Sequence, residues 1–343
     1  MPIQMATEQR KTFTPHHFFT VPVTTYHQVY ELRSFEADAN MQELAVIETM
    51  LKNGPLFAAM PFKDINGPAE VWNLEDELPI VSGRLLDEKA TSTRGSSVPQ
   101  SAITVIHTAE IETDVQRLAR EGPGAHDAEV LRHARSIRML LETNFVKGNF
   151  SAKSGREFNG LDSLIRAEST NSQAINNATG GAALKLAALD DMMNQVDAPP
   201  SEKKLIMPKT LRPALQALKR DQSLMGNLSI AENTLGIPAM FYDEAEIILT
   251  DVDALNQPIQ GFTEANNTCS IYCVALGEDS VYMAQGPSMA NGELRPGLVV
   301  YDVGESYYTT HKKTRINIDT ALVIKNPRKA ARLYNVTKAL FTA

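Results

Sequence analysis

The most regular alternation of apolar and polar positions lies between residues 124 and 148, in the run GAHDAEVLRHARSIRMLLETNFVKG. The apolar positions recur every three or four residues and form one stripe, made of Val130, Ala134, Ile137, Leu141 and Phe145. The other faces carry Arg132, Arg135, Arg138 and Glu142, and Lys147 and Gly148 suit a helix end. This pattern predicts a long helix over residues 125–147 that packs on one side only.

Two segments before this helix alternate with the period of a strand, AEVWNLEDEL from Ala69 to Leu78 and ITVIHTAEI from Ile103 to Ile111. We interpret them as the two strands of a long hairpin. Between them lie about 20 residues rich in Gly, Ser, Thr and charge, without a core pattern. Because loops of that length are uncommon in compact domains and usually carry function, this loop is a candidate contact surface.

The segment after the long helix predicts two more helices around a short buried strand. The first carries the stripe Leu189, Met192, Met193 and Val196 and ends at Pro199 and Pro200. Leu205, Ile206 and Met207 favour a strand, and Pro208 suits the first turn of a helix that bears Leu211, Leu215 and Leu218.

Further apolar runs are short and separated by Gly, Pro and Asn, as expected of a small sheet: AEIILTDV, SIYCVAL and SVYMAQG. The last element, INIDTALVIKNP, is predicted to be a long strand with Ile316, Ile318, Leu322 and Ile324 on one face. Helices and strands are therefore mixed along the chain, and the predicted fold class is α+β.

Residues 1–40 show neither a helical nor a strand period for long. They contain isolated aromatics, namely Phe13, Phe18, Phe19, Tyr26 and Tyr30, between Pro15, Pro22 and many Thr. We interpret this segment as an extended arm whose aromatic residues bind a neighbouring subunit, because it lacks a core of its own. A frayed terminus is the alternative.

Composition narrows the classes of function. The 343 residues are 43% hydrophobic and 22% charged, which is ordinary for a globular protein, and the net charge of −8 gives no overall attraction to nucleic acid or anionic lipid. The sequence has no apolar run of about 18 residues and does not open like a signal peptide, so we expect a protein that is made and kept in a cytoplasm.

The sequence offers no candidate catalytic, cofactor-binding or metal-binding residues. No P-loop, G-x-G-x-x-G, G-x-S-x-G or H-E-x-x-H motif occurs. Cys269 and Cys273 share one face of a predicted strand without further ligands nearby, so we expect buried, reduced thiols. His107, His126 and His133 are interpreted as hydrogen-bonded structural residues.

Two basic stretches, residues 311–315 and 328–332, lack the aromatic platform that single-strand nucleic-acid binders use. We expect them to form salt bridges between subunits rather than specific contacts with nucleic acid.

Several sequence segments resemble those of a known family. GLDSLIRAESTNSQAIN, GAALKLAALDDMMNQV and KKLIMPKTLRPALQAL are similar to its central helix-strand-helix segment, LGIPAMFYDEAEIILTD to a strand entered by a Gly-Ile-Pro turn, and TALVIKNPRKAARLYNV to its closing strand. Together with the order of elements, they make the chain resemble the major capsid proteins of tailed bacteriophages, of the Hong Kong 97 type. The resemblance covers most of the chain.

The resemblance implies an α+β capsid fold with named parts. They would be an N-terminal arm at 1–40, a connection at 41–68, an extended hairpin loop and its base at 69–113, a peripheral domain with the spine helix at 114–154, an axial domain at 155–295, and peripheral return strands with the tail at 296–343. The family's Lys–Asn cross-link has no matching motif here and is not carried over.

The implied function is that of a structural virion protein, not an enzyme, which assembles in the host cytoplasm through pentamers and hexamers into an icosahedral shell around double-stranded DNA. The candidate assembly interface consists of Phe13, Phe18, Phe19, Arg84, Asp87, Glu88, Lys89 and Arg94. The implied partners are copies of the chain, a portal protein, packaged DNA without sequence-specific contacts, decoration proteins, and a separate scaffolding protein, because the arm leaves no room for a scaffolding segment. No membrane is implied.

Two alternatives stay open. An encapsulin-like nanocompartment shell has the same fold, and the long arm and hairpin favour the phage capsid over it. A soluble α/β enzyme with a dispersed site would need a pocket of convergent polar groups with shifted pKa values.

Overall fold

A computed structural model describes residues 41–89, 93–122, 124–166, 173–213, 215, 228–232, 238–290, 293–305 and 310–339. The predicted arm lies outside these residues, and so do Phe13, Phe18 and Phe19. Most of the third predicted helix also lies outside them, although Leu211 and Leu215 are described and buried.

The described residues form six α-helices and sixteen strands. The helices are α1 (Met41–Asn53), α2 (Pro55–Ala59), α3 (Val115–Glu121), α4 (Gly124–Lys147), α5 (Leu161–Leu164) and α6 (Leu186–Gln195). The strands of the first half are β1 (Phe62–Asp64), β2 (Ala69–Glu77), β3 (Ser96–Ile103), β4 (Val105–Asp114), β5 (Ala174–Asn176), β6 (Lys203–Pro208), β7 (Leu228–Glu232) and β8 (Pro238–Tyr242). Those of the second half are β9 (Ala245–Thr250), β10 (Cys269–Ala275), β11 (Val281–Gln285), β12 (Pro287–Ala290), β13 (Glu293–Pro296), β14 (Val299–Glu305), β15 (His311–Ile324) and β16 (Ala330–Val336).

The long strand β15 is the centre of a five-stranded sheet. It pairs antiparallel with β4, β11 and β14, and β1 is added parallel to β11. Its even positions, Ile316, Ile318 and Leu322, are buried in the main core, as the alternation predicts. Helix α4 packs on this face of the sheet, and α1 and α2 pack on α4.

A second sheet has seven strands in the order β5-β16-β10-β6-β9-β8-β7. Its core contains the predicted stripe of α6, with Leu189, Met192 and Met193 buried, and the predicted strand residues Leu205 and Met207. Cys269 and Cys273 are free and buried in the same core, and burial raises the pKa of each thiol to about 12. The prediction that both cysteines are buried in the core is confirmed.

The two sheets do not divide the chain at the predicted boundaries. Strand β11, which was expected in the axial segment 155–295, lies in the five-stranded sheet. Strand β16, which was expected in the return segment 296–343, lies in the seven-stranded sheet. The reason is pairing between strands distant in sequence, because β11 pairs with β15 and β16 with β10.

The hairpin also differs from its prediction. Strand β2 pairs antiparallel with β3, within the segment that was expected to be loop, whereas β4 pairs with β15. All side chains of β3 are exposed except the half-buried Ala102, so its sequence SSVPQSAI shows no hydrophobic alternation. Backbone pairing with β2 alone makes this segment a strand.

Helix α4 confirms the prediction of a long helix, and the five apolar stripe residues are all buried. The expectation that it packs on one side only is wrong. Arg138 and Glu142, which were predicted to lie on other faces, are 5% and 3% exposed. They lie under α1 and α2, where the Phe57 N–H donates to Glu142 Oε1 at 3.2 Å.

The end of α4 depends on two glycines that approach its last turn. The Gly148 N–H donates to the Asn144 carbonyl at 2.9 Å, and the Gly160 N–H donates to the Gly148 carbonyl at 2.9 Å. A Cβ at Gly148 would overlap the Phe158 carbonyl oxygen, and one at Gly160 would overlap the Asn144 carbonyl oxygen. Glycine is therefore required at both positions by close packing of the backbone.

Candidate assembly surface

The base of the β2–β3 hairpin is fixed to the five-stranded sheet. The Trp72 indole Nε1–H donates to the Lys325 carbonyl at 3.1 Å, and the Tyr282 hydroxyl donates to Glu70 Oε1 at 2.9 Å. Lys63 and Lys325 lie 5.3 and 5.6 Å from the centre of the Tyr282 ring. Burial, together with the Glu70 carboxylate, raises the pKa of Tyr282, so its hydroxyl stays a donor. The hairpin therefore leaves the body in a defined direction.

A small apolar cluster supports the same base. It consists of Ile65, Tyr282, Ala284 and Val323, with Trp72 and Ala102 packed against it. These residues lie on the face of the sheet opposite the main core, because Val323 is at an odd position of β15. Within the hairpin, only residues of its base pack against this cluster.

The distal part of the hairpin, residues 78–95 without 90–92, is called the tip below. Five large apolar side chains of the tip are 72% to 94% exposed: Leu78, Ile80, Val81, Leu85 and Leu86. Such a group of exposed apolar side chains marks a contact surface. The interface predicted from the sequence contains only the charged residues of this loop. The available signal was the pair Leu85-Leu86 in a segment without a core pattern.

The far end of the tip is a turn held by its own hydrogen bonds. The Glu88 N–H donates to the Leu85 carbonyl at 3.2 Å, and the Leu85 N–H donates to Glu88 Oε2 at 2.9 Å. Arg84 Nη1 donates to the Glu88 carbonyl at 2.9 Å, and Asp87 has a positive φ of 68°. The turn presents Leu85 and Leu86 to solvent in a preformed shape.

The charged residues predicted for the interface are all exposed in this tip, namely Arg84, Asp87, Glu88, Lys89 and Arg94. The structure gives Arg84 and Glu88 a local role in the turn. Asp87 has no cationic partner among the described residues, so its carboxylate is available to another molecule.

The first basic stretch is paired within the subunit, so the expectation of salt bridges between subunits is corrected for it. Arg315 Nη2 lies 2.9 Å from Glu110 Oε2, Lys313 Nζ 3.3 Å from Glu110 Oε1, and Lys312 Nζ 3.0 Å from Asp302 Oδ2. Neighbouring strands β4, β14 and β15 bring these charges together, which a reading along the chain cannot show.

Residues of the second basic stretch also form their contacts within the subunit. Arg332 Nη1 lies 2.6 Å from Asp162 Oδ1, and the Arg332 guanidinium lies 5.7 Å from the Tyr272 ring centre. The Lys329 ammonium donates to the Asp197 carbonyl.

A cavity of about 390 Å³ lies between the hairpin base and the segment that follows α4. Its apolar lining includes Trp72, Leu74, Phe150, Leu164 and Ile324, and its polar lining includes Arg166 and Lys325. None of the described groups with a shifted pKa lines this cavity.

The histidines behave as structural residues. His126 lies between two hydroxyl groups, with Nδ1 2.8 Å from Thr113 Oγ1 and Nε2 2.7 Å from Thr314 Oγ1. His107 Nε2 lies 3.1 Å from Asn144 Nδ2, and burial lowers its pKa to about 4. Both rings thus connect α4 to the five-stranded sheet. His133 Nδ1 lies 2.9 Å from the Glu129 carbonyl within the helix.

Within the described ranges, no cluster of His, Cys, Asp and Glu residues could hold a metal ion. The described helices include none that is long and apolar enough to cross a membrane.

Solved structures share this fold. The chain superimposes on the SrpI encapsulin of Synechococcus elongatus with a TM-score of 0.59 and 13% identity over 95% of this chain and 99% of that one. The capsid of the native GTA particle gives 0.57 and 11% over 89% and 93%, and the capsid of cyanophage A-1(L) gives 0.52 and 14% over 82% and 93%. The fold is that of the Hong Kong 97-type capsid shells.

The sequence itself identifies the family. Residues 29–245, more than half of the chain, match the family described as SU10 major capsid protein, and the chain belongs to this family. No curated protein matches the sequence. The chain is therefore a phage major capsid protein, a structural component of the virion whose copies assemble into an icosahedral capsid. The likeness to the encapsulin shows the common fold alone.

Proposed function

We propose that this capsid protein assembles through pentamers and hexamers of itself into a shell around double-stranded DNA, with the hairpin tip as a principal contact between subunits. The observation that carries the proposal is the exposed apolar surface of the tip on a hairpin whose base is hydrogen-bonded to the body. A hairpin whose base is already fixed to the body loses little conformational entropy when a neighbour covers its exposed leucines.

The charged residues of the tip, Arg84, Asp87, Glu88, Lys89 and Arg94, belong to this proposed contact. They lie beside the apolar residues along the chain. Interfaces usually have a polar rim around an apolar centre, and these charges could supply that rim. The aromatic residues Phe13, Phe18 and Phe19 remain candidates for a second contact made by the arm.

We propose that each of the two domains, peripheral and axial, is built around one of the two sheets. The five-stranded sheet with α4 and the hairpin would form the peripheral domain, and the seven-stranded sheet with α6 would form the axial domain. This assignment moves β11 to the peripheral domain and β16 to the axial domain.

Packaged DNA is proposed to lie inside the shell without sequence-specific contacts. The net charge of −8 and the internal pairing of Lys312, Lys313, Arg315 and Arg332 support this, because the two basic stretches already hold carboxylates of their own subunit. A separate scaffolding protein, a portal protein and decoration proteins complete the proposal as partners during assembly in the host cytoplasm.

Expression of the chain alone and with its scaffolding protein, followed by electron microscopy, tests this function. We expect closed shells built of five- and six-membered rings. A chain that remains monomeric in every condition, co-expression included, would contradict the proposal.

A further inference from the structure

The tip and the cavity of one subunit are complementary but do not meet in the isolated subunit. The hairpin strands stay together at least as far as Ile80, whose carbonyl accepts a hydrogen bond from Thr93 Oγ1 at 2.9 Å. Trp72 lines the cavity eight residues earlier, which corresponds to about 26 Å at roughly 3.3 Å per residue. Leu85 and Leu86 lie beyond Ile80 along the chain, are 79% and 94% exposed, and do not line the cavity of their own subunit.

The cavity is large enough and apolar enough to hold the leucine side chains of the tip. A cavity of about 390 Å³ falls in the range of roughly 300–1,000 Å³ that buries drug-sized ligands, so two leucine side chains fit. Its apolar walls include Trp72, Leu74 and Leu164. Leu86 is 94% exposed in the isolated subunit. Transfer of such a side chain from water into the cavity is favourable.

The charges beside the cavity and in the tip are of opposite sign. Arg166 lines the cavity, is exposed, and donates through Nε to the Ser163 carbonyl at 3.2 Å. In the part of the chain that the structure describes, Arg166 has no carboxylate partner. Asp87, next to Leu86 in the turn, has no cationic partner there either. A cation beside the cavity and an anion beside the leucines complement each other.

We infer that Leu85 and Leu86 of one copy occupy the hairpin-base cavity of a second copy, with Asp87 of the first facing Arg166 of the second. The inference rests on the proposed function, since it assigns the receptor site for the tip. The two surfaces differ, so the contact is head-to-tail, and repetition by rotation closes a ring. Each subunit of a ring then gives one tip and receives one.

A disulfide trap tests the contact directly. The double variant Leu86→Cys/Leu164→Cys places one thiol on the tip and one on the cavity wall, and the native Cys269 and Cys273 are buried. We expect mild oxidation of assembled particles to give covalent dimers and higher ladders on a non-reducing gel. The control Leu86→Cys/Leu255→Cys uses a leucine that is 80% exposed but does not line the cavity, and it should give none. Equal cross-linking of the two pairs, or ladders with the control alone, overturns the inference.

A charge experiment tests the same contact in solution. Arg166→Glu should raise the protein concentration needed for assembly several-fold, because two carboxylates then face each other. Adding Asp87→Asn, a residue that tolerates the positive φ of this position, should restore much of the loss. A double variant no better than Arg166→Glu overturns the inference. Shells formed by the wild type while both experiments fail would leave the proposed function standing, whereas a wild type that never assembles would refute the proposed function itself.

Discussion

The spine helix α4 and the hairpin use the same kind of residue in opposite ways. Leu141 of α4 is fully buried in the main core, whereas Leu86 of the tip is 94% exposed. The helix has the sheet on one side and α1 and α2 on the other, so that even its own Arg138–Glu142 ion pair is buried. Among the described residues, the hairpin beyond its base has only its own two strands. Apolar residues therefore stabilise the subunit in one region and are left for a neighbour in the other.

This contrast explains how a shell protein remains folded before it assembles. The stability of the subunit comes from the cores around α4 and the two sheets, and the tip adds no buried apolar surface to them. Changes in α4 should lower the free energy of unfolding, and changes in the tip should alter assembly alone. Variants of the two regions, from the largest to the smallest expected effect on subunit stability, test this division.

Leu141→Asp should have the largest effect. It places a charge in the main core, at a cost of several kcal/mol, which is a large share of the stability of a domain. We expect insoluble protein, measured as the soluble fraction after expression. The control is Leu140→Asp on the same turn, because Leu140 is 41% exposed and should tolerate the charge. Equal solubility of the two variants would refute the buried face of α4.

Arg138→Ala should come next. It leaves the buried Glu142 carboxylate without the guanidinium 3.5 Å away, which typically costs about 3–5 kcal/mol. Chemical denaturation measures the loss. The matched control is Arg132→Ala, since Arg132 forms an exposed pair with Glu129 on the same helix and should cost less than about 1 kcal/mol. Similar losses for both would show that the pair is not effectively buried.

Acid should weaken the link between α4 and the sheet through His107. Burial lowers its pKa from about 6.5 in the unfolded chain to about 4, so the folded state prefers the neutral ring. Its contribution is complete above pH 6.5 and disappears as the pH falls toward 4, at most about 3 kcal/mol. Unfolding free energies of the wild type and His107→Gln between pH 7 and 4 measure this. Parallel curves would mean that His107 does not titrate as described.

Shortening the tip should have the smallest effect on the subunit. Replacement of residues 84–94 by a short Gly-Ser linker removes side chains that are exposed wherever the structure describes them. It should change the free energy of unfolding by about 0.5 kcal/mol or less. The yield of shells should fall strongly. Circular dichroism of the subunit and electron microscopy of the assembly give the two results. A joint loss of folding and assembly would show that the tip belongs to the core.

The sequence by itself determined the elements that depend on local periodicity. The stripe from Val130 to Phe145 identified α4, and the alternation from Ile316 to Ile324 identified β15, because each element buries one face at the period of its own geometry. The family resemblance likewise depended on local phrases and their order, and the family match confirms it.

Only the tertiary structure decided which elements meet. Strand β3 carries no hydrophobic alternation, and its pairing with β2 became visible only in the fold. Arg138 and Glu142 have polar side chains in any helical projection, yet α1 and α2 bury them. Leu86 and Arg166 are 80 positions apart, and their proposed contact joins two copies of the chain. Pairing, burial of polar groups and assembly depend on contacts between distant segments, which local periodicity does not encode.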